Sequence, residues 1–485
     1  MKRTAIIDIG SNSVRLVIYQ GHREIDNIKV FAQLRRHMNS EGNITQEGLD
    51  TLLSSLKDFA KIIKFYKVKN VLCGATATVR QAKNKEEIIG LAHEKAGLDI
   101  RIITEYEEAY YGCRAILNST PMTDGYTVDL GGGSTEVTLV QNRKLVHYHS
   151  FPFGAVSLKQ QFIKGDIPTI KELRELTKFV RQQFQTQPWI QKNTYPIFAI
   201  GGSARNLARA HQYMVAYPLK GEHLYKMDID DMEEVQDRLK TLNFEYLSQV
   251  EGITKGRADT IIPATQVFIE LGRLLDSEAF YLSRKGFRDG LLSAEDEIFD
   301  IPTVRRHHVR AIANFSPLYK SARQLCTQLK IAPTDTEFLE YGMALYNVGK
   351  RICPSDSLPH SFYFVANQAI GGFTHKQRVA LALLASYHSR GQFRKHLEPY
   401  QLWFSKEEKQ RLQILGAVIK FVEATELQGK SVVTDIKVLE NKSDHLTLNL
   451  LMALNFPHKR EEILKQKKHL ERALKKEILI EFSHK

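Results

Sequence analysis

Apolar and polar residues alternate along the first third of the chain in the pattern of an α/β protein. Residues 4–20 predict two strands joined by a short polar turn, and the apolar positions over 45–66 recur at helical spacing. The same reasoning predicts the elements that follow: a strand at 71–73, a helix over 76–97, a strand at 100–103 and a helix beginning near Glu105.

A second succession of strand, turn, strand and helix begins near Gly125 and runs to about Ile301. Asp300-Ile-Pro302 and the basic run after it indicate a boundary, and the rest of the chain is mostly helical by periodicity. Two features stand out there, a β-rich stretch near 431–451 and a charged amphipathic helix expected over 459–485. The pattern therefore predicts three domains, over residues 1–124, 125–302 and 303–485.

Both α/β segments carry an aspartate followed by a glycine- and serine-rich turn between two apolar runs. The first reads Asp8-Ile-Gly-Ser-Asn-Ser13, and the second, 121 positions later, reads Asp129-Leu-Gly-Gly-Gly-Ser-Thr-Glu136. One such turn is equally consistent with a glycine-rich hairpin. A second copy, and a third glycine run at 200–205, favour a functional role.

Turns of this kind are suited to binding phosphate. Glycine lets the backbone approach an anion closely, and successive N–H groups form an anion-binding concavity. Two such turns facing each other would hold a phosphate chain from both sides. The candidate phosphate ligands are Ser11, Asn12, Ser13, Gly131, Gly132, Gly133, Ser134, Gly201, Gly202 and Ser203.

Composition limits the class of protein. A chain of 485 residues is long enough for about two to four domains. No apolar run approaches the roughly 20 residues of a membrane span, so no membrane partner is expected. The cysteines (Cys73, Cys113, Cys326 and Cys353) are scattered without metal or disulfide spacing, which favours a reducing cytoplasm.

Positive charge is concentrated at one end of the chain. From Arg305 onward there are 29 Lys and Arg against 17 Asp and Glu, whereas the first 304 residues hold 39 against 38. A basic region joined to a phosphate-binding region indicates a long polyanion as partner, although a merely solvated basic surface is the alternative. No motif for sequence-specific nucleic-acid binding is recognisable, and inorganic polyphosphate suits both regions.

The motifs resemble the exopolyphosphatase/guanosine pentaphosphate phosphatase family of the actin–Hsp70–sugar kinase superfamily. The resemblance rests on Asp8 to Arg15, Ala75 to Asn84, Glu107-Glu108-Ala109, Asp129 to Glu136, Gly154-Ala-Val-Ser157, Ile200-Gly-Gly-Ser203 and Gly256-Arg-Ala-Asp259. It implies an α/β fold of two duplicated actin-like, ribonuclease H-like halves, followed by a mostly α-helical, HD-like C-terminal domain. It also implies a homodimer.

By this resemblance Glu108 corresponds to the catalytic carboxylate that orients or deprotonates the attacking water. Judged by its neighbours alone it would be one of several acids at a helix N-terminus, where the dipole favours negative charge. Arg80 resembles an arginine that contacts phosphate, and Arg257 is a plausible second one. A surface position is the alternative for both arginines.

Asp129 resembles the family's Mg²⁺-associated aspartate, and Glu136 resembles a second carboxylate near the metal. Asp8 would contribute through water, with turn capping as an equally weighted alternative. The implied cofactor is Mg²⁺, with Mn²⁺ as a substitute and a monovalent cation such as K⁺ as an addition. Mg²⁺ ordinarily uses one or two carboxylates together with waters and substrate phosphates.

The C-terminal region resembles a degenerate HD phosphohydrolase domain. Tyr346 and Asn347 stand where the resemblance places a histidine and an aspartate. Since transition metals favour imidazole and carboxylate ligands, no second metal-dependent hydrolase site is expected there.

The function that follows is a Mg²⁺-dependent exopolyphosphatase, which releases orthophosphate from the end of inorganic polyphosphate and works processively along a basic track. The nearest alternative is a guanosine pentaphosphate (pppGpp) phosphohydrolase with the same chemistry. A polyphosphate or guanosine penta/tetraphosphate sensor with little turnover is the alternative from another class. A sugar or acetate kinase fits the motifs less well.

Overall fold

The computed structural model describes residues 3–293, 297–315, 319–427, 430–454 and 456–484. The chain forms two compact units, one comprising Met1–Tyr217 with Glu222–Asp300 and the other Pro218–Gly221 with Ile301–Lys485. No helix in the described ranges is both long and apolar enough to cross a membrane.

The first half of the N-terminal unit is a five-stranded sheet with helices. Its strands are β1 (Arg3–Ile9), β2 (Val14–Gln20), β3 (Arg23–Val30), β4 (Asn70–Ala75) and β5 (Ile100–Ile102), in the order β3-β2-β1-β4-β5. Its helices are α1 (Gln46–Phe65), α2 (Ala77–Gln81), α3 (Lys85–Ala96) and α4 (Glu105–Leu117).

The second half has a six-stranded sheet. Its strands are β6 (Gly125–Leu130), β7 (Thr135–Gln141), β8 (Lys144–Phe151), β9 (Ile197–Ile200), β10 (Lys226–Met227) and β11 (Phe280–Leu282), in the order β10-β11-β9-β6-β7-β8. Its helices are α5 (Ala155–Phe162), α6 (Ile170–Gln185), α7 (Gly201–Met214), α8 (Ile229–Leu239), α9 (Phe244–Gln249), α10 (Ile261–Leu275) and α11 (Phe287–Leu292), with a 3₁₀ turn at Lys255–Arg257.

The two sheets share one topology. In each, three antiparallel strands (β1–β3 and β6–β8) are followed by strands parallel to the first of them, β4 and β5 in one half and β9 and β11 in the other. Each half also has its own apolar core, which includes α1 in the first and α10 in the second. The predicted duplication of an α/β half is therefore confirmed.

The C-terminal unit is mostly helical. Its helices are α12 (Ile301–Arg310), α13 (Tyr319–Gln328), α14 (Pro333–Leu345), α15 (Ser357–Asn367), α16 (His375–Ala385), α17 (Arg390–Leu397), α18 (Lys406–Glu423) and α19 (Pro457–Leu474), with 3₁₀ turns at Val348–Arg351 and Glu398–Trp403. Its strands are β12 (Glu426–Leu427), β13 (Lys430–Ser431), β14 (Val433–Asn441), β15 (His445–Met452) and β16 (Glu477–His484). Helix α16 is buried along most of its length, and its last seven residues, from Val379 to Ala385, are all apolar.

Two sequence predictions about these elements were wrong. The helix expected over 76–97 is two helices, α2 and α3, separated where the backbone of Ala82 becomes extended. The expected tail helix ends at Leu474, after which Lys475 adopts a left-handed conformation and β16 pairs with β15. Exposure alternates along β16, where Ile478 is completely buried between the exposed Glu477 and Leu479, which is strand periodicity.

Candidate active site

The two Asp–Gly turns have the same backbone geometry and lie against each other. Each is closed by a hydrogen bond of 3.0 Å, from the Gly10 amide to the Ser13 carbonyl and from the Gly131 amide to the Ser134 carbonyl. A Cβ atom added to Gly132 would lie 3.2 Å from the Cβ of Ser11. The predicted phosphate ligands Ser11–Ser13 and Gly131–Ser134 are thus brought together.

Gly154 supports the second turn from behind. The amide of Ala155, the next residue, donates to the carbonyl of Gly131 at 2.9 Å. A Cβ atom at Gly154 would lie 2.5 Å from the carbonyl carbon of Gly132 and 2.6 Å from the amide nitrogen of Gly133. Because both contacts are to backbone, the turn itself would have to move.

We therefore expect Gly154→Ala to destabilise the fold by about 1–3 kcal/mol, the usual range for overpacking, and to reduce activity through the displaced turn. Gly90→Ala is the matched control, since a Cβ atom at Gly90 in α3 meets nothing within 4 Å. Thermal unfolding of both variants checks the expectation. Equal stability of Gly154→Ala and the wild type would contradict the steric argument.

The third glycine run is the start of a helix. Gly201 and Gly202 open α7 directly after β9, and Ser203 is a buried helical residue. Gly201 has a left-handed φ of +97°, and an added Cβ atom would lie 3.0 Å from Oδ1 of Asp129. The run therefore lies next to the second turn.

Arg257 lies over the start of α7. Its Nη1 donates to Oγ of Ser203 at 3.1 Å, and a side chain at Gly202 would overlap its guanidinium group. Glycine at position 202 therefore makes room for an arginine beside the turns.

Asp129 and Glu136 are partners across the antiparallel pair β6–β7. Burial, followed by the negative charges of Glu136 and Asp8, raises the pKa of Asp129 to about 7. Burial also raises the pKa of Glu136, although hydrogen bonds from Ser134 and Ser150 oppose the change. These are carboxylates held close together in a desolvated site, where a cation would be favourable.

Glu108 forms a largely buried ion pair with Arg80. Nη1 of Arg80 donates to Oε2 of Glu108 at 2.9 Å, with 14% and 13% of the two side chains exposed. The same nitrogen donates to the carbonyl of Ile103 at 2.8 Å. Nη2 of Arg80 is buried and has no hydrogen-bond partner among the described residues, so it remains available as a donor.

The environment of Glu108 raises its pKa. Burial has the largest effect and the negative charge of Glu136 the next, and together they hold the pKa of Glu108 well above its ordinary value despite Arg80. Asp129 acts in the same direction. The three carboxylates therefore interact electrostatically and form one cluster.

The neighbouring glutamates have different surroundings. Glu107 forms a capping box with Thr104 at the start of α4 and pairs with Arg101. Glu105 is exposed. Glu107 is therefore the acid that caps the helix N-terminus, whereas Glu108 lies among the carboxylates of the site.

Asp8 pairs with Arg288, whose Nη1 donates to the carboxylate at 2.8 Å. This contact joins β1 to α11 and places a guanidinium group beside the first turn. Asp8 also occupies the same register position in β1 as Asp129 in β6, but its partner across the hairpin is Arg15 rather than a glutamate. The equivalent hairpin positions therefore hold an aspartate and an arginine in the first half, and an aspartate and a glutamate in the second.

Cations surround the turns in the same unit. Burial and the charges of Arg288 and Arg205 lower the pKa of Arg15 to about 10. Burial and the charges of Arg257, Arg15, Arg205 and Arg288 lower the pKa of Lys29 to about 7. Five cationic side chains are thus close enough to repel one another while partly desolvated, an arrangement that an anion would stabilise.

Comparison with known proteins shows which family has this architecture. The profile of the Ppx/GppA phosphatase family matches residues 7–297, and that of Ppx/GppA phosphatase, domain III, matches residues 297–477. The chain belongs to the Ppx/GppA phosphatase family. It is therefore a member of a hydrolase family whose fold is a duplicated actin-like α/β fold with a helical C-terminal region.

One relative and two solved structures that resemble the chain each match about three fifths of it. Exopolyphosphatase 2 of Mycobacterium tuberculosis is 26% identical over 302 residues, which cover 58% of this chain and 92% of that protein. The crystal structure of the Aquifex aeolicus Ppx/GppA family member is 28% identical, with a TM-score of 0.53, and the match covers 61% of this chain and 97% of that one. An exopolyphosphatase structure from Cytophaga hutchinsonii, 22% identical with a TM-score of 0.56, supports the fold.

The site residues predicted from the sequence are mainly carboxylates, glycines and serines, and several cations of the site are not among them. Arg15, Lys29, Arg205 and Arg288 were not predicted to be site residues. Arg15 and Arg205 lie at the ends of the first and third motifs, so their positions in the sequence could have identified them as site residues. Arg288 and Lys29 lie outside every motif, and only the tertiary fold brings them to the turns.

Two carboxylates of this site fit a divalent cation. No group of three or more His, Cys, Asp and Glu in the described parts of the chain is arranged to hold a metal by itself. Mg²⁺, however, commonly uses one or two carboxylates and completes its shell with water and substrate phosphate. Burial raises the pKa values of both Asp129 and Glu136, which fits that kind of shared site.

Proposed function

We propose that the protein is an exopolyphosphatase, which removes the terminal phosphate of inorganic polyphosphate and releases orthophosphate. The observation that carries the proposal is the group of five cations, Arg15, Lys29, Arg205, Arg257 and Arg288, around two phosphate-type turns. One terminal phosphate needs fewer positive charges. A chain of phosphates would supply counter-charge to several of them at once, in addition to the pairing of Arg288 with Asp8.

In the proposed reaction Glu108 accepts a proton from water while the water oxygen bonds to the terminal phosphorus. The bridging P–O bond breaks, and the shortened chain leaves with the electron pair. Arg80 keeps Glu108 in position, and its unpartnered Nη2 is directed to a phosphate oxygen. The turn amides bind the oxygens on which charge develops, because phosphoryl transfer depends on positioning and electrostatics more than on covalent chemistry.

Asp129 and Glu136 would hold Mg²⁺, which would neutralise phosphate charge when bound. Asp8 has a smaller part in metal binding in this proposal, because Arg288 already neutralises it. The monovalent cation, the homodimer and the processive track along the basic C-terminal region stay predictions.

The rival substrate is guanosine pentaphosphate, which offers the same terminal phosphoanhydride. The relatives named exopolyphosphatase support the polymer, although their identity to this chain is low. A sensor with little turnover is less compatible with Glu108, because a binding protein has no need of a base with a raised pKa beside its ligand.

Substrate preference tests the proposal directly. Orthophosphate release with Mg²⁺ would be compared for long-chain polyphosphate, tripolyphosphate and guanosine pentaphosphate at matched concentrations of chain ends. The proposal expects the highest kcat/KM for the long polymer, falling steeply with salt. A preference for guanosine pentaphosphate would reassign the substrate, and release from neither substrate would favour the sensor.

A substitution at Lys29 tests the binding of the polyanion separately from the hydrolysis step. Its Nζ lies 3.8 Å from the centroid of the Phe31 ring, which holds it beside the other cations. We expect Lys29→Met to raise KM for long-chain polyphosphate by about tenfold, with kcat little changed, because one charge-assisted contact is lost. Since the pKa of Lys29 is lowered to about 7, wild-type KM should also rise as pH increases through 7.

Lys61→Met is the matched control, since Lys61 lies on α1 with 78% of its side chain exposed. It should leave both constants and their pH dependence unchanged. An unchanged KM in Lys29→Met would show that the cation group does not bind the chain.

A further inference from the structure

The C-terminal unit contains a cavity of about 330 Å³ that the proposed reaction does not use. Tyr346 and Asn347 line it, together with Lys420, His388, Gln466 and the beginning of α15. A cavity of this volume is at the lower end of the range typical of small-molecule sites. Its wall includes the two positions where the sequence suggested a lost metal pair.

Lys420 is the buried cation of this cavity. Only 6% of the residue is exposed, and its Nζ contacts Nδ1 of His388 at 3.1 Å and donates to the carbonyl of the same residue at 2.5 Å. Among the described residues no carboxylate lies within 4.0 Å of Nζ, so Lys420 has no direct counter-ion. Buried lysines ordinarily require one.

The surroundings of Lys420 add positive potential. Burial and the charge of Lys468 lower the pKa of Lys420 to about 8, against the opposing effect of Glu423. Burial and the same two lysines also lower the pKa of His388 and of His469. Lys420 and Lys468 thus both add positive potential beside His388, which lines the cavity.

Two of the three carboxylates of the cavity are paired with lysines, one of which, Lys350, also lines the cavity. Glu423 pairs with Lys350 at 3.8 Å, and Glu462 pairs with Lys459 at 2.8 Å. Asp356, the third, precedes α15, and its side chain makes no capping hydrogen bond to that helix. The amides of Ser357 and Leu358, the first two of this 11-residue helix, therefore reach the cavity wall without a cap from Asp356, and Pro359 after them has no N–H.

Gln466 supplies an independent sign of a missing polar partner. Its Oε1 is buried and has no hydrogen-bond partner among the described residues, although the residue lines the cavity. An unsatisfied buried amide in a native fold usually calls for an explanation, and a bound molecule is one. Turning the amide would present its N–H groups to an anion.

We propose that this cavity binds the phosphate group of a small molecule. Lys420 supplies the charge, the first turn of α15 supplies backbone donors, and the amides of Asn347 and Gln466 supply side-chain donors. The cavity is larger than one phosphate, so the ligand is either orthophosphate with water or a mononucleotide whose phosphate takes the same position. This site is separate from the turns of the N-terminal unit and does not depend on the proposed reaction.

Hydrogen–deuterium exchange of the full chain would locate such binding. The probes would be orthophosphate and adenosine monophosphate at millimolar concentration, and the segment followed would be 346–361. We expect protection of this segment in the wild type and its loss in Lys420→Met, with affinity reduced about tenfold or more. Lys409→Met, on the same helix but outside the cavity, should retain the protection.

Stability separates a binding role from a structural one. Since Lys420 is a desolvated cation without a direct counter-ion, Lys420→Met should melt at the same temperature as the wild type or higher. If this variant fails to fold, Gln466→Ala takes its place, with weaker protection expected. Protection by orthophosphate alone or by the mononucleotide alone would support the site and show which of the two molecules is its ligand. Absence of protection with both probes, or equal protection in Lys420→Met, would overturn the proposal.

Discussion

Replacing Glu108 with glutamine is expected to slow phosphate release by about 10²–10⁴-fold, the usual contribution of a placed general base. Glutamine has nearly the same shape and can still accept a hydrogen bond from Arg80 through its carbonyl oxygen. Binding of the phosphate chain should therefore be preserved, and the loss should fall on kcat rather than on KM. Steady-state kinetics with polyphosphate would separate the two constants.

The pH profile gives a second test of the same residue. A base must be ionised to accept a proton, so kcat/KM should fall as pH decreases through the raised pKa of Glu108. The acidic limb should thus lie well above the ordinary range of a glutamate. Glu105→Gln, an exposed change in the same first helical turn, should leave rate and profile unchanged. Full turnover by Glu108→Gln would remove Glu108 from the mechanism.

Asp129→Asn is expected to reduce Mg²⁺-dependent turnover by about 10²-fold or more while stabilising the metal-free protein. The pKa of Asp129 is about 7 in the folded protein, against about 3.9 in an unfolded chain. The folded state therefore binds more protons between these values, and wild-type stability falls as pH rises from 4 to 7. Asparagine cannot ionise and avoids that loss.

Melting temperatures of the wild type and Asp129→Asn at two pH values would check the expected gain in stability. At pH 8 without metal, Asp129→Asn should melt higher than the wild type by about 2 °C or more, whereas at pH 4 the difference should shrink. Mg²⁺ should stabilise the wild type more than the variant. Asp58→Asn, a surface change on α1, should show none of these effects. A variant less stable than the wild type at pH 8 would contradict the electrostatic argument.

The sequence predicted local features well because turn chemistry and periodicity are local. The two Asp–Gly turns, the strands around them and the helix that begins near Glu105 follow from short patterns of glycine, aspartate and apolar residues. The duplicated topology follows from repeating that pattern. The tail was harder because a helical and a strand period overlap there, and Ile478 joins a sheet whose other strands lie earlier in the chain.

The electrostatics of the site could not be predicted, because they depend on contacts between distant segments. Arg288 reaches Asp8 across 280 positions of sequence. The sequence located the excess of positive charge in the C-terminal region, whereas the N-terminal region is nearly neutral in total yet gathers five cations around its turns. Net charge of a segment does not show where its charges meet in the fold.

In the proposed reaction, water attacks the terminal phosphorus in the site that contains Glu108. The most direct measurement is hydrolysis of long-chain polyphosphate in water enriched in oxygen-18, with Mg²⁺, followed by mass analysis of the orthophosphate and the remaining chains. The label is expected in the released orthophosphate and not in the shortened chains. Label in the new chain ends, or unlabelled orthophosphate, would exclude attack at the terminal phosphorus.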